Sequence, residues 1–203
     1  MYNFEKIKNN KIFSNAFSFI FNNVTSNPYH NNSHLINVFC NVMKMIDYYK
    51  IEDGDRISLG LSAIFHDFKH NGKIGHDDIN IQKAINGFNT WYYRLDDELK
   101  NYIKTDDVYN LIWCTEFPRK NTPKNLKESI IMDADMLSAY TTDWPNTIII
   151  GLSKEYNVTV KEQIDNQIKF IENLIFYTEY ANNIHEEKRN KFLTELNFLK
   201  DII

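Results

Sequence analysis

Cysteine is almost missing from this chain. Cys40 and Cys114 are the only two, and they make neither a CxxC pair nor a Cys/His zinc spacing, which excludes a disulfide framework and a zinc finger. Two lone thiols fit inert side chains in a reducing compartment, and the expectation is a cytoplasmic protein. Glycine and proline are scarce as well, 6 and 4 in 203 residues, so little interrupts long helices. No apolar run approaches the roughly 18 residues of a membrane span. The opening MYNFEKIKNNKIF alternates charged and apolar residues and lacks the core of a signal peptide. Charge of one sign is not in excess either: 23 basic against 27 acidic residues give −4. That balance argues against a general nucleic-acid-binding surface, while a local basic pocket stays open.

What the chain has is apolar residues at helical spacing from end to end. Residues 4–22 carry Phe4, Ile7, Ile12, Phe13, Phe17, Ile20 and Phe21 on one face, and 32–50 carry Leu35, Val38, Phe39, Val42 and Ile46. Ile57 to Phe68 is apolar nearly all round, which predicts a central, buried helix. Asp77 or Asp78 is a candidate N-cap for a helix over 79–93. Further helices are expected at 96–104, 106–116, 124–141, 144–156, 160–178 and 182–200, with Pro145 in a first turn. No strand alternation, repeat or linker stands out. The prediction is a single all-α domain over 1–203, its N-terminal helix and the helices of 144–200 packing on the core.

Five of the six histidines fall within residues 30–76, four of them in two clusters. His30 and His34 stand four apart in YHNNSH, and His66 and His70 stand four apart in HDFKH, at the end of the most apolar helix. Polar, metal-competent groups in such a place are costly unless something binds them. A third feature is IIMDADML, where Asp133 and Asp135 point about 200° apart on a helix, so one of them faces the core. Each cluster alone has an ordinary explanation, a polar helix start, a common dipeptide or a surface carboxylate. Three together, on three helices and between apolar turns, point to a shared cation.

Tyr29-His30-Asn31-x-x-His34-x-x-x-Val38 followed by Phe65-His66-Asp67-x-x-His70-x-Gly72 resembles the HD superfamily of metal-dependent phosphohydrolases. Within it, the two clusters are similar to the signature of class I cyclic-nucleotide phosphodiesterases. Ala134-Asp135-Met136 looks like that group's late metal aspartate, and Cys114-Thr115-Glu116 stands where it has a Thr-Asp pair. The second half, through Lys154-Glu155-Tyr156, looks more like small bacterial HD phosphohydrolases. The resemblance covers about residues 28–200. It implies an all-α HD-domain bundle with a divalent metal site between helices, held by His34, His66, Asp67 and Asp135. Asp67 would bridge to a second ion with His70 close by, and His30 would protonate the leaving oxygen. Two departures stand against the larger phosphodiesterases: residues 85–98 contain no histidine, and their base-clamping glutamine and phenylalanine have no counterpart found in the sequence.

Two imidazoles and two carboxylates suit a divalent ion such as Mn, Fe, Zn, Co, Ni or Mg better than calcium, and two such ions are expected. Together they would activate water against phosphorus. Lys69, Lys73 and Glu116 are candidates for contact with substrate. Asp78 and Asn80 are candidates for orienting ligand histidines, Trp91, Tyr92 and Tyr93 for stacking, and Arg119, Lys120 and Lys124 for a basic loop over the pocket. The expected substrate is a small nucleotide carrying a phosphodiester, a cyclic nucleotide foremost. A nucleoside monophosphatase, a dNTP or alarmone hydrolase and a non-catalytic nucleotide-binding module use the same ligands and stay open.

Overall fold

The computed structural model describes residues 11–23, 26–73, 75 and 77–203, and among these there is helix and no strand. Ten α-helices follow in order: α1 Lys11–Asn23, α2 Asn32–Tyr49, α3 Asp53–Phe65, α4 Asp77–Tyr93, α5 Asp97–Lys100, α6 Thr105–Trp113, α7 Leu126–Met136, α8 Leu152–Tyr156, α9 Val160–Asn173 and α10 Glu179–Ile202. A 3₁₀ turn, Leu137–Tyr140, extends α7, and a π-helix, Pro145–Gly151, leads into α8. No helix among the described residues is long and apolar enough to cross a membrane. Residues 4–10 of the expected first helix, and His76, lie outside the described residues.

Helix α3 is the axis of the bundle. Every residue from Ser58 to Phe65 is buried, as its all-round apolar pattern predicts. Ser62 is satisfied within the helix by donating to the Ser58 carbonyl at 2.7 Å. Helices α1, α2, α6 and α7 pack around it. On the far side Phe65, Phe88 and Trp91 meet at ring separations of 5.4–5.7 Å, and Trp91 donates to Asn15 Oδ1 at 2.8 Å. Trp91 is therefore core and does not stack on a ligand. Gly87 matters here, because a Cβ would sit 2.0 Å from the Phe68 ring. That ring, next to Asp67 in sequence, seats on the glycine of α4.

Helix α3 ends at Phe65, three residues before its apolar run does. His66 caps it, the chain turns through Asp67 and Phe68, and Lys69 adopts left-handed φ of 54–56°, as Lys50 does at the end of α2. The other boundary changes have similar local causes. Helix α4 begins at Asp77, two residues early, so that carboxylate lies in the first turn and accepts from the Phe117 N–H at 2.7 Å. Helix α9 stops at Asn173, where Leu174 turns to extended backbone, and the segment beyond it bonds to Asp133 of α7 through residues 177–178. Both thiols are free. Burial pushes Cys114 up to about 11 and raises Cys40, which fits inert side chains.

Asp133 fastens that extended segment. It is fully buried and accepts from Tyr177 N–H, Thr178 N–H and Thr178 Oγ1 at 2.7–3.1 Å, with Arg119 at 3.9 Å. Arg119 also donates to the carbonyls of Met132 and Ile175, so it braces the fold and does not cover a pocket. Asp133→Ala leaves buried N–H groups unpaired. It is expected to destabilise by about 2–5 kcal/mol in urea unfolding, with metal binding at the site below unchanged.

Candidate metal centre

Asn31 explains how the first histidine cluster is placed. Its side-chain oxygen caps α2, accepting from Ser33 N–H at 2.8 Å and His34 N–H at 3.4 Å. The asparagine-rich segment is thus a helix start that fixes His34 in the first turn, pointing inward. His66 is held at the end of α3 by its own turn, Nδ1 donating to the Ala63 carbonyl at 2.9 Å. That bond fixes the tautomer and leaves the Nε2 lone pair free. Adjacent helical residues point about 100° apart, but where α3 unwinds, Asp67 swings round to meet its neighbour.

Four donor atoms converge. His34 Nε2 and His66 Nε2 are 3.2 Å apart. Asp67 Oδ2 lies 3.0 and 3.1 Å from them, and Asp135 Oδ1 lies 3.4 and 3.6 Å away. Ligand atoms bound about 2.0–2.2 Å from one ion are spaced about 3.0–3.6 Å from each other; His34, His66 and Asp67 have metal-ligand spacing among themselves, and Asp135 stands 3.4 and 3.6 Å from the two imidazoles. The donors, two neutral-capable nitrogens and two carboxylate oxygens, also suit a first-row metal. Of the two α7 aspartates it is Asp135 that joins the group; Asp133 faces the opposite way.

Without an ion, charge in this group is carried by protons. Burial opposes the charged imidazoles, but the carboxylates of Asp67 and Asp135 outweigh it: His34 is raised and His66 is raised well above the ordinary histidine value. Burial likewise opposes ionised Asp67 and Asp135, and the two histidines outweigh it, holding both carboxyls below the usual carboxylate range. A divalent ion must displace the imidazole protons. Metal affinity is therefore expected to rise with pH through neutrality and on past it, with protons released on binding; titration calorimetry in buffers of different ionisation enthalpy measures both. A pH-independent affinity would contradict this placement.

A second array adjoins the first. His30 Nε2 is 3.9 Å from Asp67 Oδ2, and its Nδ1 meets Glu155 Oε1 at 2.5 Å. The other Glu155 oxygen accepts from Tyr29 N–H at 2.7 Å and His30 N–H at 3.0 Å. His70 stacks on His30 at 3.7 Å, with Nδ1 3.6 Å from Glu155 Oε1 and Nε2 3.9 Å from Asp77. These partners outweigh burial and hold the Glu155 carboxyl below its usual range. His30, His70 and Glu155 also form a group with metal-ligand spacing. Gly72 permits this packing: its φ of +68° is left-handed, and a Cβ would approach Glu155 Cγ to 3.2 Å.

Both arrays open into one cavity of about 540 Å³. Lys73 lines it, as does Thr115. Lys69 and Glu116, the other two candidates for substrate contact, do not: Lys69 is exposed with its ammonium over the Phe68 ring, and Glu116 pairs with Lys120 at 2.5 Å. The left-handed turn at Lys69 throws that side chain outward. Asn80 is buried and supports the loop after His70, accepting from Asn71 N–H at 3.0 Å. His185 bonds Tyr140 Oη at 2.6 Å, away from the site.

The wall facing the ion site is helix α9, which sequence reading passed over. Gln163 and Gln167, each 4 % exposed, line the cavity one turn apart, followed by Phe170. The Gln167 amide nitrogen is buried with no hydrogen-bond partner. Phe117 stands at the rim, 6.2 Å from Phe170. Glu155 was passed over too, having no cluster around it in sequence. The glutamines did leave a signal, two amides on the same stripe of an apolar helix face as Ile164 and Ile171.

No protein-family model matches the chain, and comparison with curated proteins and with solved structures likewise finds no match.

Proposed function

We propose that this protein is a metal-dependent phosphohydrolase that cleaves a nucleotide phosphoester, a phosphodiester foremost. The observation that carries the reading is the four-donor group of His34, His66, Asp67 and Asp135 with an imidazole, His30, aimed beside it by a buried carboxylate. A divalent ion held there supplies Lewis-acid polarisation of a phosphoryl oxygen and a lowered pKa for water. His34, His66, Asp67 and Asp135 would hold it, and His30, His70 and Glu155 form a second group with metal-ligand spacing.

His30 does the proton work. Its Nδ1–H is fixed by Glu155, which leaves Nε2, 3.9 Å from the Asp67 carboxylate, to deliver a proton to the departing oxygen. An alkoxide leaving group needs that proton, which favours a diester over an anhydride. The organic part of the substrate lies along α9. The unpartnered amide nitrogen of Gln167, with Gln163 one turn away, suits the hydrogen-bonding edge of a base, and Phe170 and Phe117 suit its face. The cavity is of small-molecule size. The resemblance of both histidine clusters to HD phosphohydrolases supports the same reading.

The test is hydrolysis by purified protein with added Mn²⁺. The panel comprises 3′,5′-cyclic nucleotides, cyclic dinucleotides, nucleoside mono- and triphosphates and an aryl diester, with Asp67→Ala as control. Turnover that the variant lacks is the expected result, and the preferred ester decides between phosphodiesterase and nucleotidase. Metal binding without turnover on any ester would make the domain a nucleotide-binding module instead.

A further inference from the structure

Tyr156 closes α8 directly after Glu155. Its backbone is fixed on both sides, by the Glu155 bonds to residues 29 and 30 and by left-handed Asn157, which caps the helix at φ 54°. The side chain lines the cavity, its ring 6.5 Å from that of His30. Other tyrosines of the protein spend their hydroxyls on protein partners: Tyr29 on Ser138, Tyr109 on Asn89, Tyr140 on His185. The Tyr156 hydroxyl has no hydrogen-bond partner among the described residues. Burial raises its pKa, and the charges of Glu155, Asp67, Asp77 and Asp135 add to the effect, so the phenol stays protonated. A phenol with no hydrogen-bond partner among the described residues therefore lines the same cavity as His34, Asp67 and Asp135.

We infer that Tyr156 is a phosphate-contacting residue, its hydroxyl donating to a non-bridging oxygen of the phosphoryl group bound at the four-donor centre. The inference rests on the phosphohydrolase reading. A preorganised donor of this kind strengthens as negative charge builds on phosphoryl oxygen, which makes it worth more in the transition state than in the bound ester. Tyr156 would then act on the anionic centre common to all phosphoesters, while α9 reads the organic part. No group transfer passes through the phenol, which keeps its proton throughout.

The experiment compares wild type with Tyr156→Phe and Tyr156→Leu. Calorimetry measures the affinity of Mn²⁺-loaded protein for inorganic phosphate, and kinetics measures kcat and KM on the preferred ester. Tyr156→Phe is expected to weaken phosphate binding about tenfold and to lower kcat by roughly 10–10³-fold, with Mn²⁺ affinity and melting temperature unchanged. Tyr156→Leu should do no worse than Phe on phosphate binding. Wild-type behaviour of Tyr156→Phe, or a deficit in Leu alone, would overturn the inference by leaving only a ring contact. A matching loss of Mn²⁺ affinity would overturn it too, as would a loaded wild type that binds no phosphate. Phosphate binding that depends on the hydroxyl in a protein that turns over no ester would refute the hydrolase reading and leave this one standing.

Discussion

Asp67→Ala is expected to lose bound metal and at least about 10³-fold in turnover. Asp67 is the hub of the site: one oxygen stands 3.0 and 3.1 Å from the two ligand imidazoles and 3.9 Å from His30. No other carboxylate replaces it, since Asp135 reaches the same histidines from the opposite helix and Asp133 is turned away. The metal-free variant should also show which charges Asp67 supports. His34 and His66 are raised in the folded protein, so they contribute stability that is full below their unfolded value near 6.5 and fades as pH rises through the raised values. Removing Asp67 takes part of that contribution away, and the stability deficit of the apo variant should be larger at pH 6 than at pH 9. Elemental analysis and denaturant unfolding read the two effects. Undiminished metal content would refute the ligand assignment.

Glu155→Gln should separate turnover from metal binding. The amide keeps the shape of the carboxylate and one oxygen for the N–H groups of Tyr29 and His30. Its NH₂ then faces His30 Nδ1, where a donor meets the donor of the protonated ring. His30 Nδ1 loses the carboxylate acceptor that orients the ring and directs Nε2 toward the substrate. A fall in kcat of about 10²–10⁴-fold is expected on an alkyl diester, with Mn²⁺ affinity within a few-fold of wild type. An aryl diester, whose leaving group needs little protonation, should lose far less. Equal losses on both esters would show that Glu155 supports the fold of residues 29–30 and not the acid.

Much of this was legible in the sequence, and the gaps have physical causes. The buried helix α3 was visible in its all-round apolar pattern, and the histidine clusters stood out because costly polar groups crowd apolar turns. The choice between Asp133 and Asp135 was not a matter of periodicity, since both are buried; only packing shows that one ties down residues 177–178 and the other faces the histidines. Glu155 lies 125 residues from His30, and a contact at that separation leaves no trace in local spacing. Lys69 misled because neighbouring a motif says nothing of direction once the backbone turns left-handed. Helix ends shifted where a residue found a partner outside the helix, as Asp77 did in the Phe117 N–H.

The candidate ligands all lie between residues 34 and 135, whereas the carboxylate that aims His30 comes from residue 155 and the amide wall from 163–170. Order of synthesis then separates two capacities. A growing chain has all four of these candidate ligands in hand before Glu155 and helix α9 have been made, so the side chains that would hold the first ion precede those that complete the proposed site. An ion taken up early would meet a cleft still open on the side that α8 and α9 later close.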